Sequence, residues 1–71
     1  LTALVTGKKI AKLRQAQSLT QKELAERAGI SIGYLSRIEE GAKKPHFKTL
    51  SRIAFALGVK ISELKISEVI N

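Results

Sequence analysis

The sequence predicts an all-α domain, a compact bundle of about five short helices. Apolar residues recur at three- and four-residue intervals along most of the chain. Single glycines, Gly7, Gly29, Gly41 and Gly58, divide it into helix-length segments, and cap-forming residues stand just ahead of several apolar stripes. Seventy-one residues make one domain, 1–71. A chain this short removes only roughly 60% of its unfolded surface from water on folding. With no Cys, Met or Trp it has neither a disulfide framework nor a thiolate metal site, so helix packing must hold the fold, as suits a reducing cytoplasm.

In the first segment Ile10 and Leu13 lie on one face while Lys8, Lys9, Lys12 and Arg14 occupy the others, an amphipathic helix that ends by Leu19. Thr20 followed by Glu23 is the sequence of a capping box, opening a helix of barely two turns with Leu24, Ala25 and Ala28 inward. Gly29 supplies a left-handed stop, Ser31 an N-cap, and a third helix turns Leu35 and Ile38 inward before Gly41 ends it. Ala42, Lys43, Lys44 and Pro45 form a basic loop. Beyond it, Phe47, Leu50, Ile53, Ala54 and Leu57 make the strongest apolar stripe of the chain, closed by Gly58. Ser62 can cap a last helix bearing Leu64, Val69 and Ile70; Val59, Ile61 and Ile66 also fit a strand-like alternation, and the helix is the expectation.

The stretch 20–39 meets the demands of a helix-turn-helix, in which a second short helix is left free to enter a major groove. Ala25 is small enough for the crossing point, Gly29 tolerates the turn, and Leu24, Ile30, Leu35 and Ile38 supply a shared core. Thirteen Lys and Arg against six Asp and Glu give a net charge of +7, which favours a polyanionic partner. No apolar run approaches the ~20 residues of a membrane span, and no signal-peptide pattern is present. The chain begins at Leu1 without an initiator Met, so a trimmed chain is expected.

At this level the run LTQKELAERAGISIGYLSRIEEG, followed by KKP and TLSRIAFALGV, resembles the Cro/C1-type, or XRE, family over roughly residues 7 to 65. The resemblance implies a lambda-repressor-like fold and sequence-specific binding of duplex DNA as a repressor-like transcription regulator. It gives Gln21 a phosphate contact, makes Arg14 and Glu39 a structural ion pair across the core, and runs the Lys43–Lys44 loop along the DNA backbone. It also implies a homodimer joined near the last helices. One departure is visible: the helix after the proline usually opens with a Ser- or Asp-like cap, and here His46 holds that place.

By the 3.6-residue period Ile32, Gly33, Ser36, Arg37 and Glu40 fall on the outer face of the third helix. Arg37 can donate two hydrogen bonds to guanine O6 and N7, or pair with a nearby Glu. Ser36 can donate or accept, Ile32 can lie against a thymine methyl, and Gly33 allows close backbone approach. Phosphate candidates are Gln21, Ser31, Tyr34, Lys43, Lys44, Arg14 and Lys22; Tyr34 can equally cover the core edge, and Ser31 can cap its helix while its amide faces a phosphate. His46 reads as a loop residue. Glu23, Glu26, Lys22 and Arg27 make an exposed, paired helix face. Leu64, Ile66, Val69 and Ile70, with Phe55, exceed what so small a core can shelter, so 62–71 is expected to be a dimerisation segment.

An enzyme is not expected: one His, no Cys, no phosphate-cradling or zinc-hydrolase motif and too little chain to wall a cavity leave no catalytic set. No cofactor, metal or small-molecule substrate is implied. Within the same fold an antitoxin, a restriction-modification controller, or a module binding protein or RNA remain alternatives.

Overall fold

A computed structural model describes residues 2–64 as four α-helices and one 3-10 turn: α1 Thr2–Ala16, α2 Gln21–Ala28, α3 Ile32–Glu40, α4 Phe47–Leu57, and the turn Ile61–Glu63. The helix count is therefore four rather than about five among the described residues. Ser62 does not open a fifth helix there: Lys60 precedes the turn, Ser62 lies inside it, and Leu64 closes it. Nor do Val59 and Ile61 form a strand; both are half-buried against the core. Ile66, Val69 and Ile70 lie outside the described residues.

All four α-helices end alike, with a left-handed residue whose own N–H and that of the residue after it fold back on orphan carbonyls. Three use glycine: Gly29 (φ 71°), Gly41 (φ 81°) and Gly58 (φ 73°). After α1 the same pattern is built on Ser18 at φ 58°, where Ser18 N–H reaches Gln15 O at 2.9 Å and Leu19 N–H reaches Arg14 O at 3.1 Å. At the other ends, α2 carries the full capping box: Glu23 N–H donates to Thr20 Oγ1 at 3.0 Å, and Thr20 N–H to the Glu23 carboxylate at 2.8 Å. Ser31 Oγ accepts from Tyr34 N–H at 3.1 Å, whereas His46, the N-cap of α4, makes no side-chain cap bond.

The core forms where α1 packs on α3 and α2 packs on α4, with α2 also against α3. Ile10, Leu24, Leu35, Ile38, Ile53 and Leu64 are fully enclosed. Each such side chain contributes roughly 1.5–3 kcal/mol by leaving water. Leu64 is thus a core residue, and its expected place at a dimer interface is corrected: the turn after Lys60 drops it beneath α4 instead of outward. Phe47 departs too. It is 66% exposed, because it stands at the first residue of α4, a full turn ahead of Leu50, where the buried stripe begins.

Gly7 does not punctuate the chain. α1 runs straight through it, and a Cβ there would collide with the carbonyl oxygens of Ile38 and Glu39. The missing side chain is what lets α1 lie directly on the last turn of α3. A second cross-tie was not legible in the apolar pattern: Gln17 Nε2 donates to Leu57 O at 2.7 Å, satisfying a carbonyl at the end of α4.

Candidate nucleic-acid interface

Three buried residues set the rotation of α3: Leu35, Ile38 and Glu39 face the core. Ile32, Gly33, Arg37 and Glu40 are consequently exposed and Ser36 half-buried. The outer face begins at a capped helix N-terminus, whose unsatisfied amides and dipole favour an anion beside Ser31. Ser36 Oγ donates to the Glu40 carboxylate at 3.4 Å, a long local bond that holds the hydroxyl on the helix surface.

Along this face runs an open depression lined by Ser31, Gly33, Tyr34, Arg37, Lys43 and His46. It joins α3 to the basic loop and brings two base-reading candidates together with three phosphate candidates. Tyr34 packs against the core cluster, as one of its two expected roles requires, and also lines the depression. His46 is the member that sequence reasoning left in the loop; its place at the end of the basic run Lys43, Lys44, Pro45, His46 was the available signal. Lys44 and Lys22 are exposed but do not line the depression.

Beneath this face lies a polar clasp. The Glu39 carboxylate receives Arg14 Nε at 2.8 Å, Arg14 Nη2 at 3.0 Å and Gln21 Nε2 at 2.9 Å, while Arg14 Nη1 donates to Leu19 O at 2.8 Å. Both ionic side chains are nearly enclosed, 12% exposed for Arg14 and 6% for Glu39. The expected Arg14–Glu39 ion pair is therefore present, with the Arg14 guanidinium turned inward on Glu39 and Leu19 O. Gln21 sits between the two roles. One amide N–H is committed to Glu39, and the other remains chemically able to donate to a phosphate.

The flanking helix α2 is charged and solvent-facing. The backbone N–H of Thr20 holds the Glu23 carboxyl below its ordinary value of 4.5, assisted by the Thr20 hydroxyl and by Arg27 and opposed by slight desolvation. Among the described residues no group of His, Cys, Asp and Glu is placed to hold a metal ion, and no helix is long and apolar enough to cross a membrane.

Comparison with known proteins agrees with this architecture. A family model described as helix-turn-helix matches residues 10–64. The immunity repressor protein of Bacillus phage phi105 is 38% identical over 61 residues, 86% of this chain and 42% of that protein. The HTH-type transcriptional regulator y4dJ of Sinorhizobium fredii is 43% identical over 60 residues, 84% of this chain and 78% of that protein. The chain thus spans less than half of the phage repressor's length. Among solved structures, the biofilm master regulator SinR in complex with DNA superposes with a TM-score of 0.80 at 32% identity, covering 83% of this chain and 95% of that one. With a family match across most of its length and a capped, glycine-turned pair of helices at its centre, the chain belongs to the helix-turn-helix family of the Cro/C1 (XRE) type.

Proposed function

We propose that this chain is the duplex-DNA-reading unit of a transcription regulator acting as a repressor, with α3 seated in the major groove. The observation that carries the proposal is the depression on the outer face of α3, where Arg37 and Gly33 adjoin Ser31, Tyr34 and Lys43 on a chain of charge +7. Arg37 reads guanine through two parallel donors, Ile32 covers a thymine methyl, Ser36 bonds a base edge, and Gly33 lets the helix backbone approach closely. Ser31, Tyr34, Lys43, Lys44, Gln21 and Lys22 hold the phosphates and set register without reading sequence. The phage repressor and the DNA-bound SinR among its relatives support this reading. Catalysis has no part in it, and the cytoplasm is where such a unit works.

Selection of protected sequences from a random duplex pool, followed by binding of Arg37→Ala, tests it. The variant should lose roughly 1–3 kcal/mol of preference at one base pair. Equal weakening on every sequence would make Arg37 a phosphate contact, and no enrichment of any sequence would sink the proposal.

A homodimer belongs to the same proposal, since one reading helix spans only a few base pairs and paired half-sites about one helical turn apart supply the rest. Phe55, 87% exposed on α4, and the segment carrying Ile66, Val69 and Ile70 are the residues proposed to join the copies. Sedimentation equilibrium on and off DNA decides; a strict monomer in both states would remove this part.

A further inference from the structure

The depression on α3 holds one group that the DNA-reading proposal does not use. His46 is the chain's single histidine, and it is exposed at the N-cap of α4, where its ring makes no cap hydrogen bond. The groups facing it across the depression are Tyr34 and Arg37 from α3 and Lys43 from the loop, with Ser31 at the rim; its own strand of chain adds Lys44 before it and Lys48 after it. No carboxylate lines the depression. A phosphate laid beside Lys43 and Ser31 would supply an anion there. Imidazole is also the side chain whose ordinary charge change falls between pH 5 and 8.

Resting on the DNA-binding reading above, we propose that His46 is a protonation-dependent contact to the duplex backbone, so that this chain grips DNA more tightly as pH falls through the neutral range. The sign follows from linkage. In the complex the ring meets a phosphate, which favours its charged form. Binding therefore takes up a proton, and affinity rises wherever the bound form holds more protons than the free one. A shift of about one pH unit in the titration of the ring on binding corresponds to a tenfold gain in affinity from the alkaline to the acid limit. The extra charge neutralises one more phosphate and makes the salt dependence steeper by about 0.9 in log–log slope.

The test is fluorescence anisotropy of a labelled duplex carrying the selected site, from pH 5.5 to 8.0 at fixed ionic strength, with the wild-type chain, His46→Gln and His46→Arg. The wild type should tighten about tenfold toward low pH, His46→Gln should be flat, and His46→Arg should bind tightly and be equally flat, because its charge never titrates. Proton NMR of the ring, free and bound, reads the same shift directly and does not depend on how any variant folds. A pH dependence that survives in His46→Gln, or a ring titration unmoved by DNA, overturns the assignment while leaving DNA binding intact. A wild-type chain that binds no duplex at any pH overturns both this inference and the function on which it rests.

Discussion

Gly7→Ala is the substitution in which local and tertiary preferences conflict most sharply. Helix propensity alone favours Ala over Gly in a helix interior by about 0.8–1.0 kcal/mol. Against that, the new Cβ would run into the carbonyl oxygens of Ile38 and Glu39, backbone atoms of the last turn of α3 that cannot rotate aside. Overpacking of this kind costs about 1–3 kcal/mol, and pushing α1 away from α3 also strains the Arg14–Glu39 bond that bridges the two helices. The expected balance is a net loss of about 1–2 kcal/mol. For a domain of this size each kcal/mol moves Tm by about 4–8 °C, so Tm should fall by roughly 5–15 °C. Far-UV circular dichroism melts of the wild type, Gly7→Ala and Gly33→Ala provide the comparison. Gly33 is helical too, yet a Cβ there meets nothing within 4 Å. Its substitution should stabilise by up to about 1 kcal/mol. A Gly7→Ala protein that melts at or above the wild type would refute the close approach of α1 to α3.

Further outcomes follow from the same structure. Ser18→Gly should raise the urea midpoint by an amount equivalent to about 0.5–1 kcal/mol, because a left-handed residue with a Cβ costs roughly 1–2 kcal/mol and glycine returns part of that in entropy; an unchanged midpoint would mean the Ser18 side chain compensates. Glu39→Ala should destabilise by about 3 kcal/mol, since Arg14 is left nearly enclosed without its anion, a large share of the roughly 4–11 kcal/mol expected of a chain this long; equilibrium urea unfolding measures it. The folded Glu23 carboxyl titrates below its ordinary value, so its contribution is present above pH 4.5 and is lost as pH falls through the lower folded value. The Tm difference between wild type and Glu23→Gln should accordingly narrow in acid, and a constant difference down to pH 3 would contradict the charge-assisted cap. Lys43→Ala should weaken specific and random duplexes alike and make the salt slope shallower by about 0.9; an unchanged slope would take Lys43 off the backbone.

The sequence declared those elements whose cause is local. The capping box at Thr20 and Glu23, the Ser31 cap and the stops at Gly29, Gly41 and Gly58 each depend on residues within one turn, and all are present in the structure. The apolar stripes of α2, α3 and α4 placed the core correctly from Leu24 to Leu57, apart from Phe47 at the mouth of α4. What escaped depends on distant partners. Gly7 looks like punctuation until α3 is set beside it, and Gln17 is an ordinary surface amide until Leu57 O comes within reach. Leu64 looked surplus because a hydropathy pattern cannot say which apolar residue the final turn will tuck under α4. The same limit affected the candidate site: the outward register of α3 and, through the family resemblance, the Arg14–Glu39 pair were legible, whereas the gathering of His46 beside Tyr34 and Arg37 required the fold.

The clasp on Glu39 separates two jobs that share one helix. Leu35, Ile38 and Glu39 anchor α3 to its neighbours, and none of them reaches the outer face; Ile32, Gly33, Arg37 and Glu40 occupy that face without being enclosed by the core. Changes among the outer four therefore cost the scaffold little, since surface substitutions usually fall within about 0.5 kcal/mol. The helix is in effect a fixed handle with an exchangeable blade: the outer residues of α3 can change one at a time while the grip underneath keeps the chain folded at every step.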